Sequence, residues 1–419
     1  MATRGNWVVV LLAVTLLASP GQAFYEKEGE NASVDLMGSG RLTAAFMHQY
    51  DGMPFEDDGL AIGEMRFLVA SHFGDHFKLE FNGFADMSRM PPGGGLGGAF
   101  STAGTFRSPS RSSYLQWEYW DDGAVVGRLG VDRLVAHWDY DAVRVSLGRM
   151  PINYSVTQIF TVNDFFAPFS PTTINTVYKP GVDSLRVSFA PGPLSNVEVI
   201  GVLGSNMDDE LSWTQSSVVL RAQTVWQNFE WGILGGKIPE RYMVGASLQG
   251  EAGPLSVRGE GHVGFPEDSD KDIYFRVTGG VDTSFVWRNA SVGAEYMFLS
   301  DGESDANQYL TKITTGLFPD DIGFLGKHYT GLTAGLDLMP ILRFQVLGML
   351  NASDGSGIAS LFLSYSISDE AEALLGCMIP WGKQSTFVFD DQGEVQSVVF
   401  GSEYGFMPLT AFLETRFYF

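Results

Sequence analysis

The chain has 419 residues, of which 45% are hydrophobic and 13% aromatic, with 50 glycines, a single cysteine and a formal net charge of −23. One cysteine excludes an internal disulfide framework. The acidic balance, with no basic stripe to neutralise phosphates, excludes nucleic acid as a partner.

The first element in chain order is an export signal. Arg4 supplies a positive start, Trp7 to Leu17 is an almost unbroken apolar run, and Gly21-Gln22-Ala23 places small residues before a cleavage point after Ala23. The run is shorter than the ~20 residues an apolar helix needs to cross a bilayer. Residues 1–23 are read as a cleaved secretory signal and 24–419 as one domain. No cysteine near the cleavage point marks a lipoprotein, and no later apolar run is long enough for a transmembrane helix.

Beyond the signal, the chain alternates with the period of a β-strand. Phe77, Leu79 and Phe81 oppose Lys78, Glu80 and Asn82. Val143, Val145 and Leu147 oppose Arg144 and Ser146, and Leu185, Val187 and Phe189 oppose Ser184, Arg186 and Ser188. Val218, Leu220 and Ala222 oppose Val219, Arg221 and Gln223. Ile273, Phe275, Val277 and Val281 oppose Tyr274, Arg276, Thr278 and Asp282. The last strand sets Ala411, Leu413, Phe417 and Phe419 against Glu414, Arg416 and Tyr418. Charged residues in mid-strand, opposite a continuous apolar face, fit a barrel with lipid outside and a polar lumen inside. Cys377 is in phase with Leu375 and Ile379 and reads as a small lipid-facing residue.

Connections fall into two length classes. Short turns are expected near Asp139–Asp141, Pro191–Leu194, Gln227–Phe229, Trp287–Asn289, Met339–Leu342 and Ser368–Ala371. Long loops are expected at Met87–Arg111, Pro151–Gly181, Ser205–Gln215, Ser300–Gly326 and Pro380–Pro408. This asymmetry is that of an outer-membrane barrel with short periplasmic turns and long outer loops. The fold class is therefore all-β, a transmembrane antiparallel barrel of about 18 strands within a range of roughly 16 to 20, wide enough for an aqueous channel. The count turns on Ser112–Trp138, which supplies either one strand or three. Acids gather in the loops: Asp51 with Glu56–Asp58, Asp208–Glu210, Glu267–Asp270, Asp301–Asp305, Asp320–Asp321 and Asp390–Glu394. They read either as a rim that concentrates cations or as solvated loops bridged to lipopolysaccharide.

The segment from Asp132 to Asp183 is the most specific. It contains Asp132-Arg133-Leu134, a strand end at Gly148-Arg149, a loop with Asn163-Asp164-Phe165-Phe166-Ala167-Pro168-Phe169, and Pro180-Gly181-Val182-Asp183. It resembles a family of Gram-negative outer-membrane, porin-like barrels that carry these pieces in this order. The resemblance implies an outer-membrane barrel and no particular substrate. Met150 and Ile152–Ser155 depart from the family pattern.

The loop Pro151–Gly181 is too rich in phenylalanine to extend into water. One reading folds it into the pore, with Arg149 and Asp164 near a constriction; the other makes it a structural loop whose Asp164 caps its own backbone. The pore-lining set is Arg144, Arg186, Arg221, Arg276, Glu80 and Asp282, together with Arg149 and Asp164. Glu260 and Glu295 also fall on polar strand faces. These charges either face an open pore or pair with one another in a filled lumen. Phe417 and Phe419 form a C-terminal signal for the barrel-assembly machinery. No catalytic, metal or cofactor site is expected; His72 and His76 flank a turn. Partners are membrane lipid, lipopolysaccharide, small polar solutes and a possible second copy of the chain. Three functions stay open at this point: passive diffusion of small polar or ionic solutes, which leads; a non-conducting barrel acting as a structural, adhesion or binding module through its long loops; and, third, an outer-membrane enzyme with a serine and histidine on the outside of the barrel.

Overall fold

The computed structural model describes residues 25–29, 31–50, 56–90, 108–169, 173, 178–206, 208–318, 323–389 and 395–419. The export signal, Asp51, Asp320–Asp321, Asp390–Glu394 and Ser170–Thr172 lie outside the described residues.

Eighteen antiparallel strands form one closed ring. In chain order they are β1 (Ala32–His48), β2 (Asp58–Phe73), β3 (Phe77–Arg89), β4 (Val125–Tyr140), β5 (Val143–Met150), β6 (Val182–Gly192), β7 (Ser195–Val202), β8 (Ser217–Trp226) and β9 (Phe229–Ile238). They continue as β10 (Arg241–Ala252), β11 (Leu255–Pro266), β12 (Tyr274–Phe285), β13 (Ala290–Leu299), β14 (His328–Met339), β15 (Leu342–Asn351), β16 (Ser356–Ser368), β17 (Ala371–Trp381) and β18 (Leu409–Tyr418). Each pairs with its chain neighbour, and β18 closes the ring on β1. Closure leaves no bare edge around the ring, which is what a sheet in hydrocarbon requires.

The ambiguous segment supplies one ring strand, β4, and one accessory strand, Gln116–Asp121, which pairs with the upper part of β4. A second accessory strand, Tyr25–Glu28, runs beside the start of β1.

Expected alternation appears as two faces. Leu185, Val187 and Phe189 of β6 are exposed on the outside, as are Leu79, Val218, Leu220, Phe275, Val277, Val281 and Leu413. Aromatic side chains gather at both rims of this belt. At the short-turn end, Trp138 stacks on Tyr140 and Phe73 meets Phe77. At the other end Phe275 meets Phe298. Such a belt between aromatic rims matches the hydrocarbon layer of a bilayer.

The short turns expected from the sequence all lie at one end. The opposite end holds the long loops, but also two tight connections, at Pro239–Glu240 and Ala352–Gly355, so the division of lengths is less strict than the sequence suggests.

The seam between β1 and β18 is built on small residues. Gly38 and Phe419 exchange backbone hydrogen bonds of 2.6 and 2.9 Å. A Cβ on Gly40 would fall 1.9 Å from the Phe417 ring, and one on Gly38 would fall 2.2 Å from the Phe419 ring. The two glycines are slots into which the last two phenylalanines seat, and Phe419 meets Phe67 edge-on at 6.2 Å.

Candidate functional site

The inner face begins with the loop after β5. Residues 151–169 of that loop fold inward. Two mid-strand carboxylates on the wall seize its backbone. Glu295 of β13 accepts the amides of Gln158 (2.7 Å), Ile159 (2.8 Å) and Phe160 (3.0 Å). Glu260 of β11 accepts the amides of Val156 (2.5 Å) and Asn163 (3.0 Å) and the hydroxyl of Ser155 (2.6 Å). Asn163 also donates to the Ala246 carbonyl at 3.2 Å and bonds the His262 ring at 3.1 Å. A buried loop exposes amides that need acceptors, and a carboxylate supplies several at once.

Apolar side chains complete the anchor. Ile152, Tyr154, Phe165 and Phe166 are buried against Ile200, Val202, Val219, Leu234 and Met243 of the wall. Thus Ile152 and Tyr154, at the start of the loop, fill the space between it and the wall. Further along, Ile159 and Phe160 pack with Met297, Met349, Ile358, Met378 and Tyr404.

The pieces of the Asp132–Asp183 segment converge at the loop's base. A bulge opposite Asn82 and Gly83 carries Asp132, fully buried, into the wall. There it takes Arg66 at 2.6 Å and Arg111 at 2.9 Å. Arg149 is also buried and forks onto Asp183 at 2.7 and 2.8 Å, with further bonds to the carbonyls of Val131 (3.1 Å) and Ser112 (2.8 Å). Gly181 lies so close that a Cβ would stand 2.2 Å from the Asp132 carbonyl. Arg149 therefore ties the two ends of the loop to the wall. Asp164 is buried in the loop and pairs with Lys179.

The other expected pore residues ring the wall rather than meet at one point. Arg144 pairs with Asp139 at the short-turn end and is 60% exposed there. Glu80 pairs with Lys78 at 2.6 Å. Arg186 and Arg221 share Glu198 at 3.7 and 3.9 Å. Arg258 pairs with Asp282, and Arg276 with Asp301 at 2.7 Å. A longer chain of pairs crosses the seam: Glu372, Arg416, Glu414, Arg41, Glu64, Arg66 and Asp132 are linked in that order.

Beside the inward loop a cavity of about 440 Å³ remains. Gln158 and Ile159 bound it on the loop side, and β13 to β18 form its wall. This is within the range of roughly 300–1,000 Å³ usual for small-molecule sites.

Above the loop the long connections are tied together. Glu403 accepts hydrogen bonds from the Tyr329 hydroxyl, from Asn351 Nδ2 (2.7 Å) and from the Leu325 amide (3.4 Å). Asp354 accepts from the Tyr309 hydroxyl at 3.1 Å and the Glu403 amide at 2.8 Å. Burial pushes the Glu403 carboxyl up to about 7. Phe160 of the inward loop touches Phe324 and Tyr329 of this cluster at 5.6 and 6.1 Å between ring centres.

In the sequence Glu260 and Glu295 stand out only as lumen-facing acids. Their signal is weak: β13 carries Glu295 with no lysine or arginine of its own. Glu403 gives no signal at all.

No family model matches the chain, and no curated protein is similar to it. Solved structures do match. OccK2 (OpdF) of Pseudomonas aeruginosa has a TM-score of 0.56 at 11% identity, over 95% of this chain and 99% of that one. The fold is that of the outer-membrane porins. OccAB4 of Acinetobacter baumannii has a TM-score of 0.54 at 8% identity, over 94% of this chain and 99% of that one. The outer-membrane protein OpdK of P. aeruginosa has a TM-score of 0.53 at 10% identity, over 92% and 99%. OccK2 is also solved in complex with glucuronate.

Proposed function

We propose that this chain is a passive channel for small polar or ionic solutes in a bacterial outer membrane, exported with a cleaved signal over residues 1–23. The observation that carries the proposal is the loop after β5, its residues 151–169 held inside the ring by Glu260 and Glu295, with a cavity of mixed polar and apolar lining open beside it. A loop strapped across a ring narrows it to a selective aperture. A barrel serving only as a scaffold for its outer loops has no use for an internal strap. The apolar belt and its aromatic rims support contact with membrane lipid, and the acidic outer loops support a cation-concentrating mouth or bridging to lipopolysaccharide. The seated Phe417 and Phe419 are consistent with a signal read by the barrel-assembly machinery. No chemistry is proposed.

The test is planar-bilayer recording of the refolded chain without residues 1–23, in a KCl gradient. Stepwise conductance is expected, and the sign of the reversal potential reports which charges set selectivity. A folded, heat-modifiable barrel that stays silent overturns the channel and favours the non-conducting binding module.

A further inference from the structure

The charges of the inward loop and of the cavity beside it are matched, and this bears on what the channel takes. Pro151–Gly181 contains only two charged residues, Asp164 and Lys179, and they pair with each other. The cavity beside the loop has one charged lining residue, Arg416, which is held by Glu414 at 2.5 Å and Glu372 at 3.0 Å. The remaining lining is of two kinds. Thr333, Gln345 and Ser364 bring hydroxyl and amide groups, and none of these three side chains is hydrogen-bonded to the wall among the described residues. Leu347, Phe362 and Leu374 bring apolar surface.

An anion entering this cavity would lose hydration and meet no uncommitted cation. A solute with hydroxyls on its edge and C–H groups on its face would lose less. The hydroxyls exchange water for Thr333, Gln345 and Ser364, and the face lies on the Phe362 ring. We infer, resting on the channel reading above, that this cavity is a subsite for uncharged polyhydroxylated solutes of the hexose class. The net charge of −23 acts in the same direction, because the acids of the outer loops repel anions at the mouth.

The experiment is proteoliposome swelling with glucose and with glucuronate, which differ in one carboxylate, alongside KCl conductance of the same preparations. Glucose is expected to enter about tenfold faster, the factor set by roughly 1.4 kcal/mol. The double variant Thr333→Val/Gln345→Leu is expected to lose most of the glucose rate while its KCl conductance is kept, which shows it to be folded and open. Glucuronate entering as fast as glucose through a conducting channel overturns the subsite and leaves the channel standing. Faster glucose entry that the double variant does not slow also overturns the subsite, since the mouth alone would then select. Absence of both swelling and conductance overturns the channel, and the subsite with it.

Discussion

Replacing the two wall carboxylates that hold the inward loop, as Glu260→Gln/Glu295→Gln, keeps side-chain volume and removes charge. Glu295 alone gathers three amides between 2.7 and 3.0 Å. Hydrogen bonds to a charged group contribute about 1.5–3 kcal/mol each, net of water. A glutamine with its oxygen at the Oε2 position keeps the amides of Ile159 and Phe160 in weaker, uncharged bonds, while its NH2 group opposes the amide of Gln158. Water in the lumen recovers part of the loss, leaving roughly 2–4 kcal/mol per site. A loss of about 3 kcal/mol at one site raises the detached fraction of the loop about a hundredfold, at tenfold per 1.4 kcal/mol. The apolar anchors at Phe160, Phe165 and Phe166 remain, so the loop is expected to swing intermittently rather than leave the lumen. Single-channel recording should show raised mean conductance with added open-channel noise, and external protease should cut the loop faster. Parental conductance, noise and cleavage in the folded double variant would refute the reasoning.

Three further outcomes are expected. Gly38→Val/Gly40→Val should unseat Phe417 and Phe419 at a cost of about 1–3 kcal/mol for overpacking, read as lower refolding yield and loss of heat-modifiable gel mobility. Arg66→Met should leave Glu64 with Arg41 at 3.8 Å and Asp132 with Arg111 as their remaining cations in the wall and cost up to about 3–5 kcal/mol, read as a lowered urea midpoint. The Glu403 carboxyl is raised from its ordinary 4.5 to about 7, so the stability it gives the outer loops is complete below about pH 4.5 and is lost as pH rises through 7. Protection factors at residues 323–327 and 402–407, with exchange corrected for its intrinsic rise with pH, should therefore be higher at pH 5 than at pH 8.5, and Glu403→Gln should abolish that difference.

The barrel was legible because lipid and lumen impose a strict period of two, so that Leu185, Val187 and Phe189 could be set apart from Arg186 by position alone. The inward loop was legible because Phe160, Phe165 and Phe166 are too apolar for water. The means of holding it was not. Glu260 and Glu295 bind backbone amides, and an amide acceptor leaves no pattern in the donor's sequence. Arg149 and Asp164 stood out through motif spacing, and the structure places both in buried ion pairs at the loop. The accessory strand Gln116–Asp121 and the bulge at Asp132 explain why Ser112–Trp138 read two ways: the bulge breaks the period within β4, and the extra strand lies beside it.

The seam sets an order of events. Arg41 and Glu414, which meet at 3.2 Å across it, are 373 residues apart in the chain. The edge of β1 from Ser39 to His48 thus has no strand to pair with until the last of the eighteen strands has been made. Closing so long a loop is slow, and exposed edges invite pairing with other chains meanwhile. The ring therefore cannot close before β18 is in place, and every truncation before β18 leaves an open sheet.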